Sequence, residues 1–176
     1  ISGRGKTTFI RTLLGLMNPI AGRILINGMT MEEVDIHSLW KQIGYVGKNV
    51  LLIEESVKRN IVLDLQTDQI KLQQITKILG ISDEMLQRSS IENLSSGEKQ
   101  KIAIARILYQ DLPIMVLDEA LSNLDEKTKL CLVEYFAQTC KTRGKLVLMI
   151  SHERRTLEKI KRRICIHDGM LTEKLG

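Results

Sequence analysis

Aromatic residues make up only 3% of this 176-residue chain. A surface that stacks unpaired bases needs aromatic platforms, so single-stranded nucleic acid is a poor candidate partner. Leu, Ile, Val and Met must build the core instead. Cysteine is sparse as well. Cys131, Cys140 and Cys165 form no C-x-x-C pair and have no histidine at zinc-ligand spacing. That argues against a zinc site and predicts buried thiols in a reducing compartment. No run of about 18 apolar residues exists to span a bilayer, and no signal peptide precedes the first motif. An initiator methionine is lacking too, and the chain opens inside a motif, so it reads as a piece of something longer.

What is present is the composition of a soluble globular domain, 43% hydrophobic and 27% charged. The length suits one ordinary domain with a sizeable core. A net charge of +5 describes either a solvated basic surface or an anionic partner, nucleic acid or membrane. The densest basic run, Arg154, Arg155, Lys159, Lys161, Arg162 and Arg163, has no interleaved aromatics and selects neither partner.

Spacing and punctuation predict the elements. Lys6 to Met17 has helical periodicity, with Phe9, Leu13, Leu16 and Met17 on one face and Asn18-Pro19 as the stop. Arg23 to Asn27 reads as a strand running into a turn at Gly28, Ile36 to Gln42 as a short helix, and Ile43 to Val46 as a buried strand. Glu54 to Gln87, without proline and rich in Leu, Ile, Gln and Lys, is helical text. Glu98 to Tyr109 and Glu126 to Lys141 are predicted helices. Ile114 to Leu117 and Leu146 to Ile150 are short apolar runs expected as buried parallel strands. A last helix and a strand from Arg163 to Ile166 close the pattern. This alternation predicts an α/β fold with a mostly parallel sheet, flanked by helices and carrying an inserted, mostly helical subdomain over about residues 49–110.

Four places carry chemistry. Gly5-Lys6-Thr7 fits the end of the phosphate-loop pattern G-x-x-x-x-G-K-[ST], with Ile1 to Arg4 in the variable places and the leading glycine just before Ile1. Glycines let backbone N–H groups form a nest around a β-phosphate, and the helix that follows adds positive potential. Lys6 would reach the β- and γ-phosphates and the Thr7 hydroxyl would ligate Mg2+. A plain Gly-rich turn opening a helix is the competing explanation. Asp118-Glu119 ends an apolar strand, where an Asp can serve Mg2+ and a Glu an attacking water; two acids in a solvated turn look the same. His152 ends the next strand on the same carboxyl edge, where open α/β sheets bind ligands, although a lone histidine often only caps. Leu94-Ser95-Ser96-Gly97-Glu98 opens a helix, either as a second anion site or as an ordinary capped N-terminus.

Taken in order, these motifs resemble the ATP-binding-cassette (ABC) ATPases along the whole chain. Ser2-Gly3-Arg4-Gly5-Lys6-Thr7-Thr8 resembles Walker A, Leu94 to Glu98 the family signature, and Ile114 to Glu119 Walker B. Ala120-Leu121-Ser122-Asn123-Leu124-Asp125 resembles the D-loop, and His152 the switch histidine. The resemblance implies a P-loop NTPase-type fold and ATP with Mg2+ as cofactors. It implies two such domains paired head to tail, alike or different, each ATP lying between one domain's Lys6 loop and the partner's Ser95-Ser96-Gly97-Glu98 turn. Glu119 would be general base, His152 would hold the γ-phosphate, and Asp125 would couple the two sites. Strands before the phosphate loop and the aromatic that stacks on adenine are expected upstream of Ile1.

Two departures qualify these expectations. Lys48 follows Tyr45-Val46-Gly47 where the family has Y-V-P-Q, and a protonated ammonium cannot ligate Mg2+. Lys48 is then expected either to pair with the γ-phosphate or to point away. Ser96 and Glu98 replace Gly and Gln in the signature; Ser96 is a small change at negative φ and a costly one at positive φ. A working ATPase of reduced rate is expected. Asp35 to Leu39 and Ser56 to Ile61 resemble the exporter type. That implies a transmembrane domain, fused or separate, and a place on the cytoplasmic face of a membrane. The other readings are a soluble ABC ATPase acting on ribosomes or nucleic acid, a less expected partner, and a regulatory ATP-binding half without turnover.

Overall fold

The computed structural model describes residues 5–152, 160, 162–167 and 170–175. In chain order the elements are α1 (Lys6–Leu13), β1 (Leu25–Ile26), β2 (Met29–Thr30), α2 (Ile36–Trp40), β3 (Ile43–Val46), α3 (Val57–Val62) and α4 (Gln69–Leu79). There follow α5 (Asp83–Leu86), α6 (Ser96–Gln110), β4 (Ile114–Asp118), α7 (Glu126–Arg143), β5 (Leu146–Ile150), β6 (Arg162–His167) and β7 (Met170–Leu175). The chain divides into two compact units, Ile1–Ile43 with Ile160–Gly176, and Gly44–Lys159.

In the first unit, α1 ends at Leu13, and Gly15 follows with φ +69°. The helix therefore stops before Leu16 and Met17, which are exposed; Ile10 and Leu14 are the buried residues, not the predicted face of Phe9, Leu13, Leu16 and Met17. β1 and β2 form an antiparallel hairpin through Asn27 and Gly28, both at positive φ, the conformation a two-residue hairpin turn requires. β6 and β7 pair antiparallel from Arg162↔Leu175 to His167↔Met170. Only one strand is predicted there, yet Asp168-Gly169 is the residue pair that marks such a hairpin. The predicted last helix falls at 153–159, outside the described residues, as do Arg154, Arg155, Lys159 and Lys161 of the basic run.

The second unit holds a three-stranded sheet in the order β3-β4-β5. β4 is central, and its Met115, Val116 and Leu117, which alternate between the two faces of the sheet, are all buried. β5 runs parallel to it, Ile114↔Leu146 through Asp118↔Ile150. Contrary to expectation β5 is only half-buried, because among the described residues it has a neighbour on one edge only. Between β3 and β4 the elements are helices, each opened by its own side chain. Ser56 accepts from Arg59 N–H, Asp68 from Lys71, Ser82 from Met85 and Ser95 from Glu98. α6 packs against α3 and α4, and Ile102 and Ile104 of α6, Ile61 of α3 and Leu72 of α4 are all fully buried. α7 points Leu132, Val133 and Phe136 inward, which leaves Cys131 exposed and not buried as composition predicts. Cys140 and Cys165 are half-buried free thiols.

Candidate functional site

The parallel register of β4 and β5 sets Asp118 opposite Ile150, so Asp118-Glu119 and Ser151-His152 leave the sheet at one carboxyl edge. Glu119 continues the ladder by donating its N–H to the Ile150 carbonyl at 3.1 Å, then turns out of the strand at φ +55°. That left-handed conformation is unusual for a residue other than glycine and marks sites where the chain is re-aimed. Ser122 stabilises it, its N–H and hydroxyl both donating to the Glu119 carbonyl. The result brings Glu119 Oε1 to 2.9 Å from His152 Nε2, beside a cavity of about 60 Å³ lined by these two residues, Leu121, Ser122, Ile150 and Ser151. Asp118, only 6% exposed, receives the Tyr45 hydroxyl on Oδ2 at 3.2 Å. Three sequence-predicted residues thus meet at one edge of one sheet.

The signature segment opens α6. Ser95 is its N-cap, its hydroxyl accepting from Glu98 N–H at 3.2 Å. Glu98 reaches back and takes both the Ser95 N–H and the Ser95 hydroxyl on one oxygen, each at 2.8 Å. These donors, the backbone one first, hold the Glu98 carboxyl below the usual range. Ser96 is the first helical residue, at negative φ, so the serine costs the backbone nothing. Gly97 is needed for a different reason: a Cβ there would lie 2.8 Å from the Asn123 carbonyl oxygen. The turn after β4 is therefore seated on the signature.

Asp125 ends that turn as N-cap of α7. Its Oδ1 accepts from Thr128 N–H at 2.9 Å, and its Oδ2 accepts from the Thr128 hydroxyl at 2.8 Å and faces Lys101 Nζ of α6 at 3.4 Å. Led by the Thr128 amide, these groups bring its pKa from 3.8 to about 2.

Sequence reading assigns no individual role to Gln100, Arg106, Asn60 or Tyr45. Gln100 is 1% exposed and donates to the Gly47 carbonyl at 3.2 Å, directly before Lys48. Its position one turn before Ile104 on a buried helix face was the available signal. Lys48 itself is exposed.

In the other unit, α1 starts at Lys6 after Gly5 at φ +82°, with no side chain capping it. The first N–H groups of a helix have no acceptor within it, so those of Lys6, Thr7 and Thr8 are without an intrahelical partner, an arrangement chemically suited to an anion. Ser2, Gly3 and Arg4 lie outside the described residues.

Comparison with known proteins agrees with this picture. The family profile described as ABC transporter matches residues 1–122. The chain is 32% identical to an ATP-dependent lipid A-core flippase of Paraburkholderia xenovorans, over 98% of this chain and 30% of that protein. It is 33% identical to the ATP-dependent lipid A-core flippase 2 of Colwellia psychrerythraea, over 98% and 31%. The chain therefore spans about 30% of the length of these curated relatives. Among solved structures it superposes on a bacterial Atm1-family ABC exporter with ATP bound at TM-score 0.82 and 27% identity, over 98% of this chain and 32% of the other. A dimeric ATP-binding cassette in a post-hydrolysis state, bound to ADP and Pi, shares the fold at TM-score 0.81 and 23% identity, over 99% and 82%. With this α/β fold and a match over residues 1–122, the chain belongs to the ABC transporter family and corresponds to its ATPase domain.

Proposed function

We propose that this chain binds ATP with Mg2+ and hydrolyses it as one half of a head-to-tail pair that powers transmembrane export. The observation that carries this is the pairing of Glu119 with His152 beside Asp118 at the β4/β5 edge. The motif from Ser2 to Thr8 would bind the phosphates, with Lys6 serving the β- and γ-phosphates. Thr7 and Asp118 are hard oxygen donors suited to Mg2+. Bound there, the ion neutralises charge on the phosphate oxygens. Glu119 takes a proton from water as it attacks the γ-phosphorus and the bond to the ADP oxygen breaks. His152 turns from Glu119 to the γ-phosphate. A partner's Ser95 to Glu98 closes over the nucleotide, and Asp125, N-cap of α7 and paired with Lys101 of the signature helix, helps couple the two sites.

Residues 49–110, where the described elements are all helices, form the helical subdomain of this 1–176 ATPase domain. Among the described residues no helix is long and apolar enough to cross a membrane. Membrane helices would come from a transmembrane domain, fused or separate, with this domain on the cytoplasmic face. Relatives named lipid A-core flippases make an amphipathic lipid the first substrate to assay.

In the complete protein, Glu119→Gln is expected to lower ATP turnover about a hundredfold or more while ATP still binds. Unchanged turnover would overturn hydrolysis here. It would favour a regulatory half, a reading supported by Ser95, whose N–H and hydroxyl are both already engaged by Glu98.

A further inference from the structure

The segment after β3 carries Lys48 and then an apolar stretch in which Leu51 is 86% exposed, yet this segment is not loosely held. α6 grips it at two points. Gln100, one turn beyond the signature, donates its amide to the Gly47 carbonyl at 3.2 Å. Arg106, further along the same helix, forks: Nη1 to the Leu51 carbonyl at 3.1 Å, Nη2 to Asn60 Oδ1 at 2.9 Å, and Nε to the Asn60 carbonyl at 2.7 Å. Asn60, fully buried, completes the grip. Its Oδ1 accepts Ile53 N–H at 2.9 Å, and its Nδ2 donates to the carbonyls of Ile53, Glu55 and Ser56.

We propose that Gln100 and Arg106 are positioning residues that fasten the 47–56 segment to the signature helix, so that Lys48 and Leu51 move with Ser95 to Gly97 when that turn meets phosphate. The physical reason is stiffness. Asn60 is fully buried with both ends of its amide engaged, so it has no cheap alternative arrangement, since freeing a donor or acceptor there leaves it unpaired away from water. Half-buried Arg106 is joined to it by two bonds. A helix of 15 residues carries displacement along its axis with little bending. Burial also pulls the Arg106 guanidinium pKa downward, as expected of a cation withdrawn from solvent to hold backbone carbonyls. This inference rests on the proposed ATPase reading for its trigger, but the fastening itself needs no nucleotide.

The test uses hydrogen exchange on the complete protein. Gln100→Met keeps length and shape and removes the donor. Arg106→Lys keeps charge and removes the fork, so the two substitutions probe separate grips. Without nucleotide, amides of 49–56 are expected to exchange about tenfold faster in either variant, the Ile53 amide included. With ATP, the wild type is expected to change exchange in 49–56 together with 95–98. The variants are expected to keep the change at 95–98 and lose it at 49–56, with ATP affinity within about twofold. Unaltered nucleotide-free exchange in both variants would overturn the fastening. A response at 49–56 that persists in the variants, or is missing in the wild type while 95–98 responds, would overturn the coupling. Failure of the wild type to bind ATP would strike the ATPase reading instead, and the nucleotide-free arm would still decide the grip.

Discussion

At position 97 the chain has room for a hydrogen and nothing larger. An added Cβ would stand 2.8 Å from the Asn123 carbonyl oxygen, and because that atom is backbone the whole turn after β4 must give way. Gly97→Ala is therefore expected to destabilise the domain by about 1–3 kcal/mol, as overpacking does. Urea denaturation would show it as a lowered midpoint at unchanged slope; an unmoved midpoint would mean the turn yields freely. Ser96, one residue earlier, tolerates its side chain because it is already helical. Glu98 is more ambiguous chemically: the carboxylate favours the N-terminus of α6 and satisfies Ser95, but it also brings negative charge to a turn proposed to face phosphate.

Helix ends carry the next level of organisation, and Asp125 shows it best. As N-cap of α7 it satisfies Thr128 N–H, and its pKa of about 2 lies below the ordinary 3.8. A carboxyl depressed by folding contributes stability that is complete above the unfolded value and lost as pH falls through the folded one. Asp125→Asn keeps an acceptor and removes the charge. The stability difference between wild type and variant is therefore expected to be constant above about pH 5 and to shrink between about pH 4 and pH 2. Since the Asp125 side chain is 55% exposed, salt should weaken the difference as well. A gap that grows on acidification would contradict the assignment. The same residue binds α7 to α6 through Lys101, so a local cap also joins the turn after β4 to the signature helix.

Over the whole molecule, protection should follow burial. Amides of β4 and α6, where Val116, Leu117, Ile102, Ile104 and Ala105 are fully enclosed, are expected to exchange slowest, near the rate of global unfolding. The β1–β2 hairpin, two residues per strand with Leu25 and Met29 exposed, is expected to exchange orders of magnitude faster. Mass spectrometry of exchange over hours would reveal a reversed order if the core lies elsewhere. Periodicity, apolar runs and turn residues alone specify β3, β4, β5, α6 and α7 to within a few residues, because local spacing encodes which face a residue presents. They also place acids and a histidine at strand ends. Local spacing could not reveal that Glu119 leaves β4 in a left-handed turn and meets His152, since 33 residues separate them and only the parallel register joins their strands. Nor could it show Gln100 and Arg106 gripping a segment about 50 residues away. The phosphate-loop text, the signature and the two acids were thus determined by sequence alone, as local patterns. Which buried polar groups find each other was decided by tertiary packing, because an amide or guanidinium withdrawn from water must pair with whatever acceptors the fold brings to it.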